Sequence, residues 1–279
     1  MKGDYKNPWH FALASLLHVV NSHRMRPEDY VNLHQLEDSF WWFAGMREIT
    51  AALLDPICSS DRDWRVLDAG CGTGANLDWL RRYAKNGSVI GIDINADALN
   101  FCRSRAKSNL VQGSITSLPF ADNSFDLITS FDVLIYPPGV NADNSALREI
   151  HRLLRPGGIC FTRVAAYNWM YGEHDKATNA LRRYSLSAIT RKIEEAKFDI
   201  LRATYANSWL LPLAIARRLI LKPIGFDRGS DVKPLAKGLQ WMNDPLRRIL
   251  ASESRFLRRP NSKLRFGLSA ICIAQKRIH

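Results

Sequence analysis

Three glycines that follow directly on a short apolar stretch constrain this chain more than any other feature of its sequence. The stretch is WRVLDAGCGTGANL, residues 64–77, in which apolar residues lead into Asp68 and glycine then stands at Gly70, Gly72 and Gly74. Glycine has no Cβ, so a turn built on alternating glycines lets a ligand approach the backbone closely. The pattern therefore predicts a strand, a tight ligand-binding turn and a helix in that order.

Short apolar strands alternate with helical patterns from residue 65 onward, which predicts βαβ units and a parallel sheet. The predicted strands cover residues 65–68, 88–93, 109–112, 125–131, 158–165, 199–206 and 268–275. The predicted helices between them cover residues 76–83, 96–105, 145–154 and 187–198. We therefore predict a doubly wound α/β core over residues 61–206, completed by a final strand in residues 265–279.

Two segments fall outside this alternation. Residues 1–60 have helical patterns and are rich in aromatic side chains, and we expect them to form a helical lid. Residues 207–264 are helical in pattern, rich in leucine and arginine, and inserted between the last two strands. This insertion combines an apolar run with Arg217, Arg218 and Lys222, which is typical of a basic amphipathic helix at an interface or of a helix that covers an acceptor site.

The net charge of +12 comes from the C-terminal part of the chain. Residues 201–279 hold 16 Lys and Arg against 4 Asp and Glu, whereas residues 1–200 hold 23 of each kind. Such asymmetry indicates a neutral body and a basic segment that faces phospholipid, a phosphorylated substrate or nucleic acid. A solvated basic helical face is the alternative.

Cysteine usage and apolar run lengths bear on the compartment. The five cysteines include no C-x-x-C pair, which argues against a disulfide framework and a structural zinc site and fits a reducing environment. The longest apolar runs, residues 11–20 and 209–216, are shorter than the roughly 20 residues that cross a bilayer. We therefore predict a cytoplasmic protein, with peripheral membrane contact through residues 207–264.

The residues around the glycines discriminate between ligands. No lysine follows them, as a P-loop requires, and the spacing G-x-G-x-G differs from the G-x-G-x-x-G of dinucleotide folds. Asp68 at the mouth of the turn would repel a pyrophosphate and attract a cation. Asp93, 19 residues after Gly74 at the end of the second strand, suits hydrogen bonds from ribose hydroxyls. A nucleoside that carries a positive charge, such as S-adenosylmethionine, satisfies all of these features.

The segments VLDAGCGTG, VIGIDIN, LPFADNSFDLI and LREIHRLLRPGG resemble the motifs of the class I S-adenosylmethionine-dependent methyltransferase family. The resemblance covers residues 64–206 and the final strand. It implies a Rossmann-like sheet of seven strands, mostly parallel, with the last one antiparallel between the fifth and the sixth. Two further blocks, LEDSFWWFAGMREI and AAYNWMYGEHDKATNALRRYS, resemble a bacterial subgroup with W-W-F, H-D and R-R-Y blocks, although Phe40 stands where that subgroup usually has histidine.

The resemblance implies which residues bind the cofactor. Those in the core are Asp68, Gly70, Gly72, Gly74, Asp93, Ile94, Ser114, Ile115 and Phe131. Ser114 stands where the family often has an acidic residue for the adenine amine, and a serine oxygen can still accept a hydrogen bond. From the lid, Phe43 and Arg47 are predicted to reach the cofactor, Arg47 through its carboxylate.

Trp41 and Trp42, just before Phe43, are predicted to bind the acceptor. Aromatic rings on this helix either pack against the sheet or wall the cofactor and acceptor pocket, where a ring face shelters the sulfonium cation. In both cases the helix acts as a lid. Arg182 and Arg183 are predicted to bind an anionic group of the acceptor, with a solvated helix start as the alternative.

Methyl transfer to a hydroxyl or a carbon needs a group that takes up a proton. Candidates follow the fourth and fifth strands, because ligands of open α/β sheets bind at the carboxyl ends of the strands. We predict His174, which stands beside Asp175, Tyr136 and Tyr184 as the catalytic residues. Glu173, His174 and Asp175 are a weak pattern for a divalent metal, and we predict no metal site.

The sequence therefore predicts an S-adenosylmethionine-dependent enzyme that methylates a hydrophobic small molecule, with or without a phosphate, at carbon or oxygen. Isoprenoids, prenyl diphosphates, glycolipids and secondary metabolites fit this description. An RNA methyltransferase is an alternative that the basic tail favours, but the chain has no nucleic-acid-binding module and no N/D-P-P-[FY] motif. A non-catalytic protein that binds S-adenosylmethionine is the other alternative.

Overall fold

The predicted strands form one seven-stranded sheet in the computed structural model, which describes residues 27–58, 62–105, 107, 109–216 and 237–278. The strands are β1 (Arg65–Ala69), β2 (Ser88–Asp93), β3 (Leu110–Gln112), β4 (Phe125–Phe131), β5 (Leu154–Ala165), β6 (Phe198–Ala206) and β7 (Ser269–Lys276). Their order is β3-β2-β1-β4-β5-β7-β6. Strand β7 is antiparallel to both neighbours, and the other pairs are parallel. The predicted Rossmann-like fold is confirmed.

Helices cover both faces of the sheet. They are α1 (Pro27–Leu36), α2 (Trp41–Leu54), α3 (Ala75–Ala84), α4 (Ala96–Ser104), α5 (Ala142–Leu153), α6 (Glu173–Ala177), α7 (Leu186–Glu195), α8 (Leu211–Ala216) and α9 (Asn243–Leu257), with 3-10 turns at Asn168–Met170 and Lys237–Met242. Apolar side chains of α5 and α7 pack on one face, and those of α2, α3, α4 and α9 pack on the other. Because both faces are covered, β4 is buried from Phe125 to Ser130.

Local sequence signals explain several boundaries. The side chain of Asn95 accepts a hydrogen bond from the backbone N–H of Asp97 at 2.8 Å, so Asn95 caps α4 as the sequence predicts. Ser185 caps α7 in the same way through the N–H of Ala188. Helix α7 ends at Glu195, earlier than predicted, and Lys197 then adopts a positive φ of 69° that leaves the helical region.

The fifth strand begins earlier than the sequence predicts. We expected Pro156-Gly157-Gly158 to separate a helix from a strand that starts at Gly158. Instead α5 ends at Leu153 and β5 begins at Leu154, which pairs with Phe125. The pairing register shifts between Phe125 and Leu127, so the proline and glycines lie in an irregular start of the strand.

The helical additions are described in part. Helices α1 and α2 belong to the predicted lid, and α8, the 3-10 turn and α9 belong to the predicted insertion. Residues 1–26 and 217–236, which include Arg217, Arg218 and Lys222, lie outside the described residues. Among the helices that the structure describes, none combines the length and the apolar composition that a membrane span requires. All five cysteines are buried and unpaired.

Candidate functional site

The glycine turn lies where the strand order reverses, between β1 and β4, which is where open α/β sheets bind ligands. Gly70, Gly72 and Gly74 have φ values of 89°, 54° and 84°, a region that favours glycine. A Cβ at Gly70 would overlap the side chain of Val133, so Gly70 serves packing. A Cβ at Gly72 would have its nearest neighbour, Leu33 Cδ2, at 3.9 Å. The backbone of Gly72 is therefore the part of the turn that a ligand can approach.

Two aspartates hold this turn. Asp93 at the end of β2 accepts hydrogen bonds from the N–H groups of Gly72 and Asn95, both at 2.9 Å. Asp68 at the end of β1 is buried and accepts a hydrogen bond from the hydroxyl of Thr129 at 2.8 Å. Burial raises the pKa of Asp68 to about 7, with nearby Asp93 also raising it, against the hydrogen bond from Thr129. A cation at the turn would favour the ionised form of Asp68.

A third carboxylate, which the sequence analysis missed, reaches the turn from the lid. Glu37 follows α1, is buried, and accepts a hydrogen bond from the hydroxyl of Thr73, between Gly72 and Gly74. Burial raises the pKa of Glu37 to about 7, while Thr73 and Arg105 act in the opposite direction. Glu37 also raises the pKa of Asp68, so the two carboxyls repel each other across the turn.

Two arginines fix the lid segment that carries Glu37. Arg105, which follows α4, forms an ion pair with both oxygens of Asp38 at 2.7 and 2.8 Å and donates to the backbone oxygen of His34 at 3.0 Å. Arg47 donates from Nη2 to the backbone oxygen of Glu37 at 3.1 Å. Arg47 was predicted to bind the cofactor carboxylate; in this structure its guanidinium ties α2 to the segment that carries Glu37, and its contact with the cofactor stays a prediction.

The aromatic start of α2 lies at the same edge of the sheet. The rings of Trp42 and Phe43 meet edge to face, with centroids 5.0 Å apart. The guanidinium of Arg163 on β5 lies 5.1 Å from the centroid of the Trp42 ring and 5.2 Å from that of Phe131. Arg163 also forms a 2.6 Å ion pair with Asp132, directly after β4. The lid is therefore anchored to the ends of β4 and β5 by stacking on a cation.

The site fits a nucleoside that carries a cation. Three carboxylates surround a glycine backbone that is open to solvent at Gly72. In the part of the chain that the structure describes, the indole N–H of Trp41 and the hydroxyl of Ser130, near the end of β4, are buried without a hydrogen-bond partner. A buried polar group without a partner is a candidate contact for a bound ligand.

Residues 67–162 match the family described as "Methyltransferase domain". This match spans the glycine turn, both aspartates and the strands that carry them. Residues 67–162 are therefore a methyltransferase domain, with the fold of the class I S-adenosylmethionine-dependent enzymes. The methyl donor of this methyltransferase fold is S-adenosylmethionine, and Asp68, Asp93, Glu37 and the open glycine backbone are the residues that would hold it.

Curated relatives align over about half of the chain. A fatty-acid O-methyltransferase from Mycolicibacterium smegmatis is 32% identical over 146 residues, which cover 51% of this chain and 47% of the relative. Phthiotriol/phenolphthiotriol dimycocerosates methyltransferase 1 from Mycobacterium ulcerans is 31% identical over 137 residues, 46% of this chain and 48% of the relative. The chain thus spans about half the length of these curated relatives.

The fold extends further than the sequence similarity. A solved S-adenosylmethionine-dependent methyltransferase from Thermotoga maritima superimposes with a TM-score of 0.53. It covers 90% of this chain and 97% of its own, at 16% sequence identity. This likeness shows that the two chains share a fold.

The other predicted cofactor residues lie at strand ends. Ile94 directly follows Asp93 and is 42% exposed, an unusual position for a large apolar side chain that a ligand would cover. Ile115 is buried, and Phe131 packs on Phe161 with centroids 5.3 Å apart. The hydroxyl of Ser114 lies 2.8 Å from that of Thr116, so it is engaged in its own turn. Their contacts with the cofactor stay predictions.

Two residues predicted for chemistry lie instead in a network around the buried carboxylate of Asp143. The hydroxyl of Tyr184 is 2.7 Å from Asp143 Oδ2 and 3.2 Å from the backbone oxygen of Leu134. Burial and the Asp143 carboxylate raise the pKa of Tyr184 far above its ordinary value, so it is a poor base at neutral pH. Arg182 donates to the backbone oxygen of Pro137 at 2.6 Å and lies 3.7 Å from Asp143. Both side chains stabilise the loop after β5.

Arg183, predicted to bind an anionic acceptor, is buried rather than open to a pocket. Its Nε lies 2.7 Å from Asp175 Oδ1, and its Nη1 donates to the backbone oxygen of Ala166 at 3.2 Å. Asp175 also accepts a hydrogen bond from the N–H of Gly172 at the start of α6. The two residues of the H-D pair therefore have different environments: Asp175 is buried in an ion pair, and His174 is half-buried.

Tyr136, after β4, is half-buried and packs against the core. Its role as a base, like that of His174, stays a prediction. Within the described residues no group of three His, Cys, Asp or Glu is arranged to hold a metal ion.

Glu37 and Arg163 are the site residues that sequence reasoning missed. Glu37 precedes the aromatic block by three residues, and a carboxylate so close to that block was an available signal. Arg163 is a cation in the middle of the apolar run GICFTRVA, where a buried charge requires a partner. That partner, Asp132, belongs to a different strand end and is found only in the folded chain.

Proposed function

We propose that this protein transfers a methyl group from S-adenosylmethionine to a carbon or oxygen atom of a hydrophobic small molecule. One observation carries the proposal: the short segment 37–43 sets a carboxylate on the glycine turn and aromatic rings beside Arg163 at the same sheet edge. A cation site and an apolar surface are thereby brought under one lid.

The bound cofactor supplies an electrophilic methyl group, and the chain supplies position and a proton acceptor. Asp93 fixes the turn through Gly72 and keeps lone pairs for ribose hydroxyls, because a carboxylate has about four acceptor sites. Asp68 and Glu37 favour a cation at the turn. The lid excludes water from the methyl donor. It also encloses the donor and the acceptor together, which keeps them in line for transfer. His174 and Tyr136 are the candidates for the group that takes the acceptor's proton.

The acceptor class rests on the aromatic lid and on the names of the relatives. The two relatives described above are named for fatty-acid O-methylation and for methylation of phthiotriol dimycocerosates. Both names state hydrophobic acceptors, and the rings of Trp41 and Trp42 offer this chain an apolar surface of the same kind. Arg182, which is half-buried, is the remaining candidate for an anionic group such as a phosphate on the acceptor.

The test is transfer of tritium-labelled methyl into a panel of acceptors. The panel contains free fatty acids, isoprenoid alcohols, prenyl diphosphates, glycolipids and a bulk RNA preparation. We expect label in one hydrophobic class, and the position of the label decides between carbon and oxygen. Label in RNA alone would favour an RNA methyltransferase. Calorimetric binding of S-adenosylmethionine with no transfer to any acceptor of the panel would favour a non-catalytic binding protein.

The proton acceptor is tested on whichever acceptor is found. We expect Tyr136→Phe or His174→Ala to lower kcat at least tenfold and to remove one limb of the pH profile, because general base catalysis contributes about 100-fold or more. Arg148→Ala on the exposed side of α5 is the control. If neither variant slows transfer, both base assignments are wrong.

A further inference from the structure

The outer surface of the C-terminal segment is basic. Within the described part of residues 201–279, Glu253 is buried and Asp244, in the first turn of α9, is the exposed carboxylate. Arginine and lysine side chains of the same segment lie at the surface. Arg258 and Arg277 form ion pairs with Asp55 and Asp199, outside this segment, whereas Arg248, Arg255 and Arg259 are exposed.

One face of helix α9 packs against the rest of the protein, and the opposite face is exposed to solvent. Leu250 and Leu257 are buried, and a Cβ at Gly45 of α2 would lie 2.5 Å from Leu250 Cδ1, so the two helices pack closely. The opposite face, at intervals of three, four and seven residues, carries a row of exposed side chains. Its members are Arg248, Ile249, Ser252, Arg255, Phe256 and, just beyond the helix, Arg259. We call these six residues the outer face of α9.

Exposed aromatic rings lie on α9 itself and on the segments that hydrogen bonds connect to it. The buried carboxylate of Glu253 accepts hydrogen bonds from the N–H groups of Asn207 and Ser208, and this brings Trp209 beside α9. The hydroxyl of Ser208 donates to the backbone oxygen of Phe266, which brings Phe266 to the same end. Trp209, Phe256 and Phe266 are 51%, 36% and 49% exposed. Exposed rings on segments that are fixed to one helix are candidates for an interaction surface.

We propose that the outer face of α9, with Trp209 and Phe266, docks on an anionic phospholipid bilayer. Charge complementarity carries the choice of partner, because three arginines stand on this face and the single acid lies at its N-terminal end. Phosphate groups pair with arginine, and aromatic side chains prefer the boundary between headgroups and acyl chains. A helix of this composition lies in the plane of the interface without spanning it.

Docking has a consequence for the site. Helix α2 begins with the aromatic lid residues and packs on α9 at Gly45, so the helix that rests on the bilayer contacts the helix that carries the lid residues. If the acceptor is hydrophobic, as the proposed function holds, it is supplied from the surface on which α9 rests. The docking itself does not depend on any methyl transfer.

The experiment measures binding of the full chain to sedimented vesicles. We expect binding to phosphatidylcholine vesicles that contain 30 mol% phosphatidylglycerol, on the order of tenfold or more above binding to pure phosphatidylcholine, and weaker binding at higher salt. Each arginine near an anionic surface contributes roughly fivefold. The triple variant Arg248→Glu, Arg255→Glu, Arg259→Glu reverses these charges and should therefore bind at least about 100-fold more weakly.

A matched variant separates local from overall charge. Arg103→Glu, Arg148→Glu and Arg191→Glu change the net charge equally on exposed positions of α4, α5 and α7, and we expect no more than about a twofold loss. Trp209→Ser with Phe256→Ser should weaken binding about tenfold without changing its salt dependence. Thermal unfolding of each variant verifies that it is folded.

Three results would overturn the proposal: equal loss in both triple variants, equal binding to neutral and anionic vesicles, or no vesicle binding at all. Displacement of the vesicles by a short RNA at equal phosphate concentration would assign the face to nucleic acid instead. Methyl transfer to a detergent-dispersed acceptor is measured in parallel. Transfer without vesicle binding refutes the docking surface alone, and vesicle binding without transfer refutes the proposed function alone.

Discussion

Two ends of the same sheet edge use their polar residues in opposite ways. At the glycine turn, Asp68, Asp93 and Glu37 surround a backbone that is open at Gly72. After β5, the polar residues Asp175 and Arg183 are consumed in a buried ion pair, and Tyr184 is held by Asp143. Both regions follow strands at the carboxyl edge, where ligands bind in this fold. A polar residue at that edge serves a ligand only where the loop does not need it for its own stability.

The largest expected effect tests the interior role of Arg183. Arg183→Ala leaves the buried carboxylate of Asp175 without its partner, and we expect the free energy of unfolding to fall by about 3–5 kcal/mol. Urea unfolding followed by circular dichroism measures it. Arg191→Ala, on the exposed side of α7, is the control. A stable Arg183→Ala variant that fails only with anionic acceptors would return Arg183 to the substrate site.

Asp93 should produce the largest effect on cofactor binding. Asp93→Ala removes the acceptor for the N–H groups of Gly72 and Asn95, and we expect S-adenosylmethionine to bind about 100-fold more weakly, or about 3 kcal/mol. Isothermal titration calorimetry measures the Kd. The exposed Asp97→Ala in α4 should bind normally. Unchanged affinity in Asp93→Ala would mean that the turn does not form the cofactor site.

Tyr184 provides a test of the buried network after β5 with a smaller expected loss of stability. Tyr184→Phe removes a hydroxyl that contacts Asp143 and Leu134, while Lys192 still lies 3.0 Å from Asp143. We expect a loss of about 1 kcal/mol in stability and an unchanged pH profile of kcat. Loss of the limb along which kcat rises with pH would instead restore Tyr184 as a base.

The smallest effect is a pH dependence at the glycine turn. The pKa values of Glu37 and Asp68 are raised to about 7, so both carboxyls ionise as the pH rises from 6 to 8 and attract a cation. We expect S-adenosylmethionine to bind about fivefold more tightly at pH 8 than at pH 6. Glu37→Gln should flatten this dependence, and Asp97→Asn should not. A steeper or reversed dependence in Glu37→Gln would remove Glu37 from the site.

The same shifts have a stability consequence without cofactor. A carboxyl with a raised folded-state pKa keeps its proton in the folded chain while the unfolded chain has lost it. The free energy of unfolding therefore falls as the pH rises from about 4.5, the ordinary value for Glu37, through about 7. Thermal melts of the cofactor-free protein across this range measure the fall, and Glu37→Gln should reduce it.

Much of the fold was predictable because its signals are local. Apolar runs separated by helical patterns predicted the strands, and Asn95 and Ser185 marked helix starts through side chains that bond to their own backbone. The start of β5 was not predictable in this way. Pro156 and the glycines break a helix locally, but pairing of Leu154 with Phe125 extends the strand through them.

The residues of the candidate site also differ in whether their signals are local in the sequence. Asp68 and Asp93 were predictable because their spacing from the glycines is a property of the chain. Glu37 and Arg163 were not, since their partners Thr73 and Asp132 are 36 and 31 residues away. Arg183 and Tyr184 are the opposite case: their residue types suit chemistry, but after folding both side chains are buried and paired with Asp175 and Asp143. Their predicted roles stay predictions.

The sequence by itself determined the order of strands and helices, the glycine turn with its two aspartates, and the location of the excess positive charge. These follow from periodicity, from the absence of a side chain in glycine and from charge counts, none of which needs a three-dimensional neighbour. Only the tertiary structure decided that a third carboxylate closes over the turn, that two of the predicted site residues lie in the interior, and that the arginines of α9 face outward. Burial and pairing are relations between distant residues, and the chain acquires them when it folds.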